Sequence, residues 1–130
     1  MKNVYFIYNP YSGKGTIKSK LVKIIDTLTE TGHEVTMHPT QSQLDACETV
    51  KRICKEDHEK YDFILCSGGD GTLNEVIQGL MKSENKLPVA YIPSGTTNDF
   101  AKRLEIEIET IYVNGNTESH FNPIKDSIAI

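Results

Sequence analysis

The chain has 130 residues, 38% hydrophobic and 25% charged, with 14 Lys plus Arg against 18 Asp plus Glu for a formal net charge of -4. This length suits one domain with a buried core, and a mildly acidic chain without a long basic run is a poor nucleic-acid binder. No apolar run approaches the ~20 residues of a membrane helix, and MKNVYFIYNP at the N-terminus is too short for a signal-peptide core. Cys47, Cys54 and Cys66 form no C-x-x-C pair, and an odd count without a signal peptide points to a reducing cytoplasm and to thiols acting as small buried hydrophobes. The histidines, His33, His38, His58 and His120, are scattered without metal-ligand spacing.

In chain order, Asn3 to Tyr8 (NVYFIY) is a β-branched and aromatic run closed by Asn9-Pro10, which predicts a buried strand. Ile17, Leu21, Ile24, Ile25 and Leu28 form the apolar stripe of a helix over Thr16 to Thr31, with Gly32 as its stop. Glu34 to His38 reads as a second strand. Ser42 to about Asp57 reads as a second helix with Leu44, Cys47, Val50 and Cys54 on one face. Asp62 to Cys66 is a third strand, and Thr72 to about Lys82 a third helix with Leu73, Val76, Ile77, Leu80 and Met81 inward. Pro88 to Ile92 is a fourth strand, and a short helix is expected from Asn98 to Leu104. From Glu105 the pattern suggests a strand and then a tight turn at Asn114-Gly115-Asn116. Strands alternating with helices predict a three-layer α/β/α domain whose mainly parallel sheet is covered on both faces.

Three loops, NPYSGKG at 9–15, SGGDGT at 67–72 and PSGTTND at 93–99, each follow a predicted strand and precede a predicted helix. In an open α/β sheet such loops converge at the carboxyl ends of the strands, and each offers helix N–H groups to an anion. Gly68, Gly69 and Gly71 are expected to take positive φ and to let a phosphate approach the backbone. Asp70, between them, needs a metal, a hydroxyl or a backbone donor to be tolerated beside a phosphate. Plainer readings stand beside these: Thr72-x-x-Glu75 fits a capping box, Gly68-Gly69 and Asn9-Pro10 fit simple turns, Lys14 a solvated charge and Thr40 a helix cap. Neither a Walker A loop nor a G-x-G-x-x-G is present, because Gly13-Lys14 is followed by Gly15 and then by Lys18 where a third glycine belongs.

In this order and at these intervals, NPYSGKG, SGGDGTLNEV and IPSGTTNDFA resemble the diacylglycerol kinase catalytic domain, a family that includes sphingosine kinases, ceramide kinases and bacterial lipid kinases. The resemblance implies a phosphofructokinase/NAD kinase-like fold, ATP as phosphoryl donor, Mg²⁺ as its partner and a lipid hydroxyl at the membrane surface as acceptor. It places Asn9, Ser12, Gly13 and Lys14 along the nucleotide and Thr40 against ATP. Gly68, Gly69, Asp70, Gly71, Thr72 and Asn74 would wrap the phosphates, with Thr96 reaching the nucleotide from the last loop. Asp70 is the candidate catalytic residue, with Mg²⁺ as its candidate contact, and Asn98 and Asp99 are expected to organise the site. With no hydrophobic anchor in the sequence, membrane contact of this cytoplasmic protein is expected to be peripheral, and a homodimer is expected for the full-length enzyme.

On this reading residues 1–104 are the ATP-binding domain and 105–130 an atypical C-terminal segment. The family's second, β-rich domain, with its lipid cleft and general base, is expected to be absent and the fragment inactive alone. A kinase of a soluble substrate, of the NAD kinase type, and a nucleotide-binding module without catalysis are the alternative readings.

Overall fold

The pleat of a strand sends successive side chains to opposite faces, and here both faces are apolar. In the computed structural model, which describes residues 2–11, 16–93, 109–110, 112–113 and 116–117, this alternation sorts the strand residues into two cores. Val4, Phe6 and Tyr8 of β1 (Lys2–Tyr8), with Phe63 and Leu65 of β3 (Phe63–Gly68) and Ala90 and Ile92 of β4 (Val89–Pro93), pack with Ile17, Ile24 and Leu28 of α1 (Thr16–Glu30). Tyr5, Ile7, Ile64, Cys66 and Val89 face the other way. They meet Ala46, Val50, Ile53 and Cys54 of α2 (Asp45–Glu56) and Val76 and Leu80 of α3 (Asp70–Met81). One helix covers one face and two cover the other, giving the three layers expected from the alternating pattern.

With β2 (His33–Pro39), the parallel strands take the order β2-β1-β3-β4, and a short antiparallel strand, β5 (Glu109–Thr110), pairs with β4. β6 (Tyr112–Val113) pairs antiparallel with β7 (Asn116–Thr117), and the expected tight turn between them falls on 114–115, outside the described residues. The expected helix from Asn98 to Leu104 lies outside the described residues. α1 ends where read from sequence: Gly32 follows it at φ +88°, a conformation side chains rarely adopt. All three cysteines are buried, and burial alone pushes the Cys66 thiol up to about 12, so it acts as a hydrophobe rather than a nucleophile.

Two helix starts differ from expectation. α2 begins at Asp45, three residues after Ser42, because Leu44 holds a left-handed conformation (φ 70°) that interrupts the helix. α3 begins at Asp70 rather than Thr72, with Gly69 as an extended N-cap. The Thr72-x-x-Glu75 capping box therefore does not form: Thr72 already lies inside the helix, and no side chain caps its start.

α2 and α3 are held unusually close. A Cβ at Gly79 would lie 2.5 Å from the Cys47 carbonyl oxygen and 2.9 Å from the Val50 Cβ. Since the first of these is backbone, Gly79→Ala is expected to push the helices apart and to destabilise the domain by about 1–3 kcal/mol, read from urea unfolding. A second prediction concerns His33, which is 4% exposed. Its Nδ1 lies 2.9 Å from the Thr31 hydroxyl and 3.2 Å from the Leu28 carbonyl, while the buried Nε2 finds no partner among the described residues. Burial lowers its pKa below the ordinary value and the Lys2 charge adds to this, against the opposing Leu28 hydrogen bond. The neutral ring is the folded form, so the unfolded chain takes up the proton first as pH falls. Stability should be full above the ordinary histidine range and decline as pH drops through it, and His33→Leu should flatten that slope.

Candidate functional site

Strand order fixes where a ligand can sit. The chain leaves β1 for β2 on one side and later returns to β3 on the other, so the connections after β1 and β3 diverge and leave a crevice at their carboxyl ends. A cavity of about 310 Å³ occupies this place, lined by Asn9 and Tyr11 after β1, by Thr40, Gln41, Ser42 and Gln43 after β2, and by Gly71, Thr72 and Glu75 of α3. Backbone hydrogen bonds tie its rims to the sheet: Thr40 N donates to Tyr8 O at 2.8 Å, and Asn9 N to Ser67 O at 3.1 Å.

Each rim has a local cause. Asn9 accepts the Tyr11 N–H on its Oδ1 at 2.9 Å, an Asx turn that suits the Asn-Pro pair and turns the chain out of β1. The turn reading of Asn9-Pro10 therefore holds, and it is also what brings Tyr11 to the crevice. After β2, Asp45 draws the connection in by accepting the Gln41 N–H at 2.7 Å, the His38 Nε2 at 3.0 Å and the Thr49 hydroxyl at 3.1 Å. Burial acts to raise the Asp45 carboxyl, but these donors outweigh it and hold the group below the ordinary aspartate range. Leu44, in its left-handed conformation, donates its N–H to Glu75 Oε2 at 3.0 Å. Glu75, assigned to a cap by its spacing alone, instead ties the second rim to α3.

The glycines serve a purpose different from the expected one. Among the described glycines only Gly32 has positive φ, so Gly68, Gly69 and Gly71 are not required for a left-handed backbone. Gly68 is required by contact: a Cβ there would lie 2.7 Å from both the Thr72 Cβ and Oγ1. Its carbonyl accepts the Tyr91 hydroxyl at 2.7 Å, which fixes the end of β3. A Cβ at Gly71 would meet nothing within 4 Å, so this residue opens the first turn of α3 towards the cavity.

Of the expected site residues, the cavity gathers Asn9, Thr40, Gly71 and Thr72. Gly68 is buried at the end of β3, and Asp70 is exposed in the first turn of α3, beside the cavity-lining Gly71. Asn74 is exposed on the same helix and is not part of the lining. Ser12, Gly13, Lys14, Thr96, Asn98 and Asp99 lie outside the described residues. Sequence reasoning missed Tyr11, Gln41, Ser42 and Gln43, for which no spacing rule gives a signal, and it gave Glu75 a different role.

The first turn of α3 offers free N–H groups and the positive end of a helix dipole, which suit an anion. The Glu75 side has the opposite sign. A phosphate charge ~4 Å from that carboxylate would be opposed by about 4 kcal/mol at an effective dielectric of 20. Among the described residues no group of three or more His, Cys, Asp and Glu is placed to hold a metal ion. Mg²⁺ carried on nucleotide phosphates needs only one or two protein carboxylates. Asp70 is an exposed carboxylate in the first turn of α3. No helix among the described residues is long and apolar enough to cross a membrane.

The family model described as the diacylglycerol kinase catalytic domain matches residues 3–124. A Bacillus subtilis protein named diacylglycerol kinase is 39% identical over 111 residues, which cover 85% of this chain and 36% of that protein. One of the same name from Staphylococcus haemolyticus is 40% identical over 100 residues, covering 77% of this chain and 29% of the relative. The chain thus spans about a third of the length of these relatives. A crystal structure of a diacylglycerol kinase from Bacillus anthracis superposes with a TM-score of 0.63 at 33% identity, over 81% of this chain and 37% of that one. The layered sheet described above is accordingly of the phosphofructokinase/NAD kinase-like kind. Sequence, strand order and the loops at the strand ends agree, and the chain belongs to the diacylglycerol kinase catalytic domain family.

Proposed function

We propose that the chain supplies the nucleotide-binding half of an ATP- and Mg²⁺-dependent lipid kinase that phosphorylates the hydroxyl of diacylglycerol or a related lipid. The observation that carries this reading is the crevice between the strand ends, with the open Gly71 turn of α3 on one side and Thr40 and Asn9 on the other. The relatives' printed name supplies the lipid class. On this reading residues 1–104 form the nucleotide-binding unit. The lipid cleft and the general base belong to a second domain, for which the longer relatives have room.

Phosphoryl transfer asks a protein mostly for positioning and charge neutralisation. The N–H groups at the start of α3 take phosphate oxygens, and Gly71 lets the backbone approach them without a side chain between. Thr40 and Thr72 border the same space and offer hydroxyls to the nucleotide. Bound Mg²⁺ supplies neutralisation of charge on the transferred phosphoryl group. Asp70 holds its carboxylate where it orients that group without occupying the cavity. Membrane contact is peripheral, and the complete enzyme is a homodimer.

Calorimetry of the chain with ATP and Mg²⁺ should show saturable binding that chelation of the metal weakens, and a flat titration overturns the nucleotide reading. In the full-length enzyme, Asp70→Ala should lower kcat by about a hundredfold or more while leaving the circular dichroism spectrum unchanged. Unchanged turnover would remove Asp70 from the mechanism.

A further inference from the structure

The mouth of the crevice carries an aromatic ring for which neither the glycine loops nor the sheet account. Tyr11 is 77% exposed, yet it lines the cavity, and its backbone is held there by the Asn9 Asx turn. The Lys18 ammonium lies over the ring, 5.1 Å from its centroid. That contact covers one face of the ring, and the exposure leaves the remainder open to a planar partner.

The two ends of the crevice differ in charge and in chemistry. The first turn of α3 presents N–H groups and the open Gly71, which suit phosphates. One turn further along α3 the Glu75 carboxylate repels phosphate, and the connection after β2 presents the uncharged Ser42 and Gln43. A nucleoside triphosphate bound with its phosphates on α3 must therefore place its uncharged part against the residues after β1 and β2. Tyr11 stands on that side and offers the aromatic surface that such a part can use.

Building on the nucleotide reading above, we propose that Tyr11 stacks on the heteroaromatic base of the bound nucleoside triphosphate, with Ser42 and Gln43 at the edge of that base. Stacking on a tyrosine face is tolerant of base identity, because every base has a π-face. The residue then sets affinity for nucleotide over bare polyphosphate, and does little to separate ATP from GTP.

The test is calorimetry of the whole chain with three probes: ATP, GTP and inorganic tripolyphosphate, each with Mg²⁺. Tyr11→Ala should weaken ATP and GTP alike by about tenfold, which corresponds to about 1.4 kcal/mol, and leave tripolyphosphate unchanged. Tyr11→Phe should bind as the wild type does, since the ring and not the hydroxyl makes the contact. Circular dichroism of both variants checks that the fold is kept. An equal loss for all three probes would mean that the residue acts through the loop or Lys18, and it overturns the proposal. A Phe variant as weak as Ala, or an Ala variant with unchanged ATP affinity, overturns it too. If the wild type binds tripolyphosphate but neither nucleotide, the base site fails while the phosphate reading stands. If it binds none of the three, the nucleotide reading itself falls.

Discussion

β1 is hydrogen-bonded on both edges, to β2 on one side and to β3 on the other, and it is apolar on both faces. A parallel strand in this position can be satisfied only if helices cover the sheet above and below. Because its two neighbours are reached by separate crossovers, the connections must part at its carboxyl end. The crevice is thus a by-product of the way in which the sheet buries this inner strand. Asn9 and Thr40 sit at its rim because Ser67 and Tyr8 provide the last backbone carbonyls to which they can bond.

The three rims are joined by different chemistries, and this gives the crevice its shape. An Asx turn shapes the first. The second is gathered by a carboxylate that accepts from a backbone amide, an imidazole and a hydroxyl, and it is then tied to α3 by the Leu44–Glu75 bond. The third owes its form to small residues, with Gly68 accommodating Thr72 and Gly71 leaving the helix start bare. Asp45 and Glu75 thus hold the walls of the crevice in place through their hydrogen bonds.

Much of this was legible in the residues, because burial on two faces leaves a strong periodic signal. All four parallel strands and all three described helices lie close to where the apolar spacing put them, and Gly32 stops α1 as its lack of a side chain suggests. Leu44 and Met81, expected on inward faces, are instead 50% and 67% exposed. Helix starts were less legible, since they depend on partners far away in sequence. Glu75 sits three residues beyond Thr72 in a spacing that fits a local cap, yet its partner is Leu44, 31 residues earlier. The purpose of the glycines was misread for a similar reason: close contact with Thr72 is a tertiary fact, whereas positive φ is the local habit of glycine. The aromatic and amide residues that complete the lining follow no motif, and only the fold brings them together.

The absent side chain of Gly79 has a mechanical consequence. It lets α3 rest directly on the backbone of α2, which makes that contact the fulcrum of the helix. At 1.5 Å per residue, the nine steps from Gly79 back to Asp70 form an arm of about 13.5 Å. A tilt of about 5° at the fulcrum would swing the end of that arm by about 1 Å, enough to misalign groups that, on the proposed reading, meet a phosphate in line. The accuracy of the glycine turn at one end of α3 is therefore set near its other end, by a residue that never approaches the crevice.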